Sequence, residues 1–202
     1  MSERERAGRV GGRSERLRLF VAADVPPELL DSVNRALAPL RSRDDLGSAR
    51  WTKPANQHLT LKFLGWVDAE ARDPIDEAVG GVAGAHEAGV VTLEGLGAFP
   101  SQRRARVLWL GLRDPRALLT ALATALDSSL EPLGFEAEKR AFTPHLTLAR
   151  FKPPASIQGV LNEVELPEAS FDVGHLALYR SRLHPKGASY EVLEAFPLGG
   201  RR

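Results

Sequence analysis

The sequence predicts an α+β fold made of a duplicated unit, with two antiparallel sheets that face a central cleft and helices on the outside. The tetrapeptide HLTL occurs twice, at 58–61 and at 145–148, a shift of 87 residues. Residues 20–37 overlay residues 109–126 at a shift of 89, with matching proline and leucine positions. Two elements that repeat at nearly the same distance along the sequence indicate a duplicated lobe. Two copies favour pseudo-two-fold pairing over a solenoid.

The first half reads strand, helix, strand, helix, strand. Residues 17–24 are apolar and β-prone, which predicts a strand. Residues 26–40 begin with proline, have an acidic first turn and carry leucines at helical spacing, which predicts a helix. In 51–67 a proline-containing turn leads into the first HLTL strand. Residues 68–85 predict a helix weakened by proline and glycines, and 89–100 predict a strand.

The second half repeats this order. Residues 105–114 predict a strand, and residues 115–134 carry the clearest helical periodicity in the chain. Residues 140–151 contain the second HLTL and predict a strand. A short helix and two closing strands are predicted at 155–165, 169–181 and 187–198.

Length and composition indicate one globular domain. A chain of 202 residues with 43% hydrophobic and 26% charged residues buries a substantial core. We expect a tail at 1–16, one domain of two interleaved lobes at 17–198, and a tail at 199–202. The N-terminal tail is rich in arginine and lacks the apolar stretch of a signal peptide. It is interpreted as disordered, with an RNA-contacting arm as the alternative.

Several classes of function are disfavoured by composition. The chain has no cysteine, which excludes disulfides, thiolate nucleophiles and cysteine metal sites and agrees with a reducing cytosol. No apolar run is long enough to span a bilayer. A formal net charge of +1 gives no general attraction to polyanions, so a nucleic-acid site must come from local clustering. We therefore expect a cytoplasmic monomer that does not bind membranes.

The two H-x-T motifs place a titrating and a hydroxyl side chain on one face of each predicted strand. Alternation puts His58 with Thr60, and His145 with Thr147, opposite the leucines. If the lobes pair about a pseudo-two-fold axis, two imidazoles and two hydroxyls line one cleft. This set suits a phosphoryl group, because hydroxyls and protonated imidazole donate hydrogen bonds to its oxygens.

Two histidines also suit acid–base catalysis. With an unperturbed pKa near 6.5, one imidazole can be neutral and accept a proton while the other is charged and donates one. The symmetry of the repeat leaves the two roles interchangeable. Neither motif has a carboxylate at ligand spacing, and the chain has no Walker loop and no GxGxxG. We therefore expect no metal and no cofactor.

Residues 18–198 resemble the two-histidine (2H) phosphoesterase superfamily, which is defined by paired H-x-[ST] motifs in a duplicated fold. The flanking KFLG and the closing YRSRLHPKGASYE resemble the bacterial and archaeal RNA 2′,3′-cyclic phosphodiesterases, also called 2′-5′ RNA ligases. The resemblance implies that His58 donates a proton to the leaving ribose oxygen and that His145 activates water. It implies that Thr60 and Thr147 hold the phosphate oxygens.

The implied reaction opens a 2′,3′-cyclic phosphate at an RNA 3′ end to a 2′-phosphomonoester. Its reversal with a 5′-hydroxyl RNA gives a 2′-5′ linkage without ATP. RNAs with cyclic phosphate ends, tRNA fragments among them, are the implied substrates.

Further substrate contacts are candidates on weaker grounds. Alternation places Lys62 on the His58 face, within reach of a phosphate. Arg150 matches a position where the family often has arginine, but alternation places it opposite His145, so this role requires a bulge. Phe20 and Tyr179 could stack on a base, and Arg106 could attract the backbone. For each of these residues a structural or surface role is the alternative.

Two other functions stay open at this point. One is a 2H phosphodiesterase that acts on a small cyclic nucleotide or an ADP-ribose cyclic phosphate. The other is a non-catalytic RNA-binding protein, which would not need two titrating imidazoles.

Overall fold

The computed structural model describes residues 15–185 and 187–199. It contains nine strands and four α-helices in the described residues. The strands are β1 (Arg16–Ala23), β2 (Ala49–Trp51), β3 (Leu59–Asp68), β4 (Gly89–Phe99), β5 (Ala105–Arg113), β6 (His145–Ala155), β7 (Ser170–Val173), β8 (His175–His184) and β9 (Gly187–Pro197). The helices are α1 (Pro27–Ala36), α2 (Ala38–Arg41), α3 (Arg72–Gly84) and α4 (Leu118–Leu130).

The strands form two antiparallel sheets. The first has the order β3-β1-β8-β9, and the second has the order β2-β6-β5-β4-β7. The first H-x-T strand, β3, pairs with β1, and the second, β6, pairs with β5. The predicted α+β class with two antiparallel sheets is confirmed.

The two halves of the sequence exchange strands. β4 follows β3 and α3 in the chain, but it pairs with β5 in the second sheet. β8 and β9 close the chain, but β8 pairs with β1 in the first sheet. Each sheet is therefore completed by the other half of the sequence.

One continuous core joins both sheets to the long helices. Leucines and valines of β1, β3, β5 and β6 pack in it with apolar residues of α3 and α4. The two helices pack against each other, α4 also packs against β3, and α3 packs against β8 and β9. A second, small cluster of Phe20, Ala22, Ala177, Tyr179 and Tyr190 lies on the opposite face of the first sheet.

Most elements lie within a few residues of the sequence prediction, and three differences change the pairing or the type of an element. The strand β2, which pairs with β6, was not predicted. The helix predicted at 155–165 is wrong, because β6 continues to Ala155 and only the 3-10 turn Val160–Glu163 follows. The segment 169–181 contains two strands, which pair in different sheets. The predicted tails fall mainly on residues 1–14 and 200–202, outside the described residues.

Candidate active site

A β-bulge follows the H-x-T motif of β3. The pairing with β1 skips Leu61, which is therefore an extra residue in the strand. After the bulge Lys62 points to the core side and is buried, while Phe63 is exposed on the face of His58 and Thr60. The prediction from simple alternation, which placed Lys62 with His58, is thus wrong.

The same bulge follows the H-x-T motif of β6. Here the pairing with β5 skips Leu148, 87 residues after the first extra leucine. As a result Ala149 is buried and Arg150 is exposed on the face of His145 and Thr147. The bulge that the predicted role of Arg150 required is present.

Aromatic rings hold His58 in place. The ring of Phe20 stacks on it with centroids 4.7 Å apart, and the ring of Tyr179 lies 5.0 Å from Phe20 and 5.7 Å from the imidazole. Tyr190 meets the imidazole edge-on at 5.0 Å. A hydrogen bond to the backbone of Asn56, two residues earlier, adds a polar restraint.

His145 has equivalent support in the second sheet. Its Nδ1 lies 2.7 Å from the carbonyl oxygen of Thr143, again two residues earlier. Phe99 and Trp109 meet the imidazole edge-on at 5.2 and 6.2 Å. In the neutral ring Nδ1 donates to this carbonyl, so Nε2 carries the lone pair and can accept a proton.

A glycine makes room for the indole beside His145. A Cβ atom on Gly97 of β4 would lie 2.2 Å from the ring of Trp109. Real contacts are never that close, so any larger residue here displaces the indole. The absence of a side chain at Gly97 therefore allows Trp109 to lie beside His145.

The two hydroxyls of the motifs are free to bind a ligand. Thr60 and Thr147 are half-buried and make no side-chain hydrogen bond within the part of the chain that the structure describes. A half-buried hydroxyl without a partner is a ready donor to an anionic oxygen. β3 and β6 are also the strands through which the sheets approach each other, with Cα atoms within 8 Å.

A carboxylate lies near His58. Asp24, directly after β1, accepts hydrogen bonds from the hydroxyl of Tyr179 and from Nε2 of His175, the latter at 2.9 Å. Burial and this carboxylate raise the pKa of Tyr179, so the phenol stays protonated. Sequence reasoning missed Asp24; its position after the first apolar strand is the only signal it gives.

Burial and charge shift the pKa values of both histidines. Burial lowers the pKa of His58 to about 4, and the nearby Asp24 opposes this shift. Burial also lowers the pKa of His145, the Thr143 carbonyl opposes this, and the positive charge of Arg150 adds to it. Hence both imidazoles are neutral at pH 7 before a ligand binds. The neighbouring charges nevertheless favour the cation at His58 and the neutral ring at His145.

Three of the weaker candidates have structural roles or restricted access. Lys62 is 6% exposed, and its ammonium donates to the carboxylate of Asp127 and, at 2.5 Å, to the carbonyl of Glu136. It joins β3 to the α4 region and does not face a ligand. Phe20 is 1% exposed and is covered by His58 and Tyr179, so it supports the imidazole and cannot stack on a base.

Tyr179 is likewise buried, with its hydroxyl bound to Asp24. Arg106 is exposed at the start of β5 and forms no ion pair with any described residue. It stays a prediction.

No three His, Cys, Asp or Glu side chains cluster as a metal site in residues 15–185 and 187–199. In the same residues no helix is both long and apolar enough to cross a membrane.

Comparison with known proteins identifies the family. Residues 25–185 match the model of the 2′-5′ RNA ligase superfamily. The chain belongs to this superfamily. The resemblance drawn from the paired motifs is confirmed.

Relatives of this superfamily match almost the whole chain. A Methanothermobacter thermautotrophicus protein named RNA 2′,3′-cyclic phosphodiesterase is 34% identical over 189 residues, which cover 91% of this chain and 100% of that protein. A crystal structure of a Thermus thermophilus protein aligns with a TM-score of 0.76 at 29% identity, covering 92% of this chain and 100% of the other. Escherichia coli LigT in complex with 3′-AMP aligns with a TM-score of 0.74 at 30% identity, covering 91% and 99%.

Proposed function

We propose that this protein hydrolyses the 2′,3′-cyclic phosphate at RNA 3′ ends to a 2′-phosphomonoester, with His58 and His145 as general acid and base. The observation that carries the proposal is the pair of matched half-sites. Each consists of a histidine held by a backbone group two residues earlier, a free threonine hydroxyl on the same face, and aromatic walls. The name of the curated relative supports the substrate.

In this reaction Nε2 of neutral His145 takes a proton from water, and the water oxygen attacks phosphorus. The bond from phosphorus to the ribose O3′ breaks, and protonated His58 gives its proton to O3′. The Thr60 and Thr147 hydroxyls, with Arg150, donate hydrogen bonds to the non-bridging oxygens, on which negative charge grows. After product release the two histidines exchange their proton states through solvent.

Two charges support this assignment of roles. The carboxylate of Asp24 favours protonated His58, and the guanidinium of Arg150 favours neutral His145. Burial alone would keep both rings neutral, so the proton on His58 must be stabilised by the substrate. A bound phosphodiester anion between the rings provides that charge, because an opposite charge nearby raises the pKa of an imidazole.

A second reaction of the cyclic phosphate, ligation, belongs to the same proposal. Attack by an RNA 5′-hydroxyl in place of water forms a 2′-5′ linkage and needs no ATP, since the cyclic phosphate is already strained. We place the protein in the cytoplasm as a monomer, with RNA ends such as those of cleaved tRNA as substrates and no metal in the reaction.

Product analysis tests the proposal. An RNA with a 2′,3′-cyclic phosphate end is incubated with the protein in EDTA and without ATP, and the ends are compared with 2′- and 3′-phosphate standards. We expect the 2′-phosphate, and at least about 100-fold slower product formation with a variant in which both histidines are alanine. A 3′-phosphate, no turnover, or loss of activity in EDTA would contradict the mechanism.

A further inference from the structure

The first sheet exposes an unusual amount of apolar surface. Six large hydrophobic side chains are exposed in the described residues, and four of them belong to this sheet. The four are Phe63, Trp66, Leu183 and Val192. Phe63 and Trp66 are 60% and 54% exposed, although β3 also supplies buried residues to the core.

Strand register places all four on the face that carries His58. The ring of Phe63 lies 6.0 Å from that of Phe20, which stacks on the imidazole. Trp66 pairs with Arg18, which is two positions from Phe20 on the same strand and so shares its face. By the same reasoning Leu183 and Val192 lie on the face of Tyr179. The face therefore extends the walls of the candidate active site.

This face carries one arginine that no carboxylate neutralises. Arg18 donates from Nη1 to the hydroxyl of Ser181 at 3.0 Å and forms no ion pair within the described part of the chain. Its neighbours differ, because Arg16, Arg180 and Arg182 each pair with a carboxylate. Arg18 thus leaves a positive charge beside the exposed indole of Trp66.

We propose that this face binds the nucleotides that precede the cyclic phosphate, with Phe63 and Trp66 stacking on bases and Arg18 binding a backbone phosphate. The proposal rests on the proposed function and specifies its substrate as an oligonucleotide. Exposed aromatic rings beside an unpaired arginine match single-stranded RNA, which offers flat base faces and a regular negative charge. The two exposed aromatic residues, Phe63 and Trp66, lie on β3, the strand that His58 precedes, so the RNA would run from His58 towards Trp66.

The proposal predicts a preference for longer substrates. Stacking of one base on an aromatic side chain changes affinity by about five- to 150-fold. A nucleoside 2′,3′-cyclic phosphate fills only the histidine cleft and gains nothing from Trp66. A trinucleotide with the same end also reaches the aromatic face.

The test compares kcat/KM for these two substrates in the native protein and in Trp66→Ala, Trp66→Phe and Arg18→Gln. We expect Trp66→Ala to lower kcat/KM at least fivefold for the trinucleotide and less than twofold for the mononucleotide, and Trp66→Phe to recover most of the loss. Arg18→Gln should reduce the salt dependence of the trinucleotide reaction by close to one phosphate contact, a change of about 0.7 in the slope of log kcat/KM against log salt. Val90→Ala, an equally exposed apolar residue of the second sheet, is the matched control and should change neither substrate.

Equal losses for both substrates in Trp66→Ala, or no loss for the trinucleotide, would overturn the proposal. A third outcome would also overturn it: the native protein sediments as a dimer, and Trp66→Ala dissociates the dimer but keeps the preference for the trinucleotide. The face would then bind a second copy of the protein. If the native protein turns over neither substrate, the proposed function fails. Quenching of indole fluorescence by a 3′-phosphorylated trinucleotide then still tests the face, because Trp66→Phe should remove the quenching and Val90→Ala should not.

Discussion

His58 and His145 occupy equivalent positions in the two sheets, yet the charges beside them differ in sign. Both are held by a backbone group two residues earlier, and both precede a threonine and a bulge at the next leucine. Beside His58 lies the carboxylate of Asp24, and beside His145 lies the guanidinium of Arg150. The duplicated backbone supplies two similar imidazoles, and a few unmatched side chains give them different proton affinities.

Removal of either imidazole should have the largest effect. His58→Ala and His145→Ala should each lower kcat/KM on cyclic phosphate RNA by about 10²–10⁴-fold, because in the proposed mechanism each ring moves a proton in the transition state. The double variant should be little worse than either single one, since the two groups act together. His86→Ala, at the end of α3, is the control. Nearly native kcat/KM in one single variant would show that only one half-site is catalytic.

The wall behind His145 should be the next most sensitive. Gly97→Ala forces the indole of Trp109 to move, and a shift of about 1 Å in a catalytic group lowers the rate by about 100-fold. Gly81→Ala, an exposed position of α3 with open space, is the matched control and should keep full activity. Circular dichroism checks that both variants fold. Full activity of folded Gly97→Ala would show that the indole does not position His145.

The two threonines should contribute almost equally. Thr60→Val and Thr147→Val should each lose about 1–3 kcal/mol of transition-state stabilisation, measured as kcat/KM, because each removes one of the proposed hydrogen bonds to a phosphate oxygen. Thr→Ser at the same positions retains the hydroxyl and should recover most of the activity. A large loss at one position only would make the phosphate contacts asymmetric.

The pH dependence should separate the two histidines. In the proposed mechanism the acid is protonated His58, with a pKa of about 4 in the free protein, and the base is neutral His145, whose pKa is also lowered. kcat/KM reports the pKa values of the free enzyme. Its pH optimum should therefore lie on the acid side of neutrality, and kcat/KM should fall as the pH rises above that optimum. The optimum of kcat should lie at higher pH, because the bound anion raises both pKa values.

Removal of the Asp24 charge and removal of the Arg150 charge should move the pH optimum of kcat/KM in opposite directions. Asp24→Asn lowers the pKa of His58 further and should shift the kcat/KM optimum to lower pH. Arg150→Gln raises the pKa of His145 and should shift it to higher pH. Tyr179→Phe removes a hydrogen bond from Asp24 and leaves its charge, so it controls for local packing. Shifts in the same direction would refute the electrostatic difference between the half-sites.

Substitution of Lys62 should leave catalysis unchanged. Lys62→Met removes one partner of the ion pair, but Asp127 is only partly buried and still accepts a hydrogen bond from the backbone N–H of Glu138 at 3.1 Å. We expect unchanged kcat/KM and a smaller loss in the free energy of unfolding than in Asp127→Ala. Asp127→Ala, by contrast, leaves the ammonium buried without its partner and should destabilise the fold by about 3–5 kcal/mol in urea denaturation. A lower kcat/KM in Lys62→Met would return this lysine to the active site.

Most of the fold follows from periodicity and from the repeat. The strands at 17–24 and 105–114 and the helix at 115–134 lie within a few residues of β1, β5 and α4, because their apolar residues face one core. The H-x-T motifs place histidine and threonine on one face, as strand alternation requires.

The site beyond these motifs was predicted less well because of the two bulges. The extra leucine after each motif reverses the side of the sheet to which each later side chain points. Phe63 and Arg150 therefore lie on the faces of the histidines, and Lys62 does not. A bulge depends on pairing with a neighbouring strand, which a single sequence does not show. Phe63 and Arg150 stand at the same offset of 87 as the histidines, and this equivalence was the available signal.

The exchange of strands between the halves has a consequence for the dissection of the chain. A cut in the connection 100–104 yields one fragment with β1 and β3 but without β8, and another with β5 and β6 but without β4. Neither fragment alone can finish a sheet, and each would expose unpaired backbone edges. Co-expressed as separate polypeptides, the two should assemble into a nicked but complete fold, whereas either one by itself should aggregate.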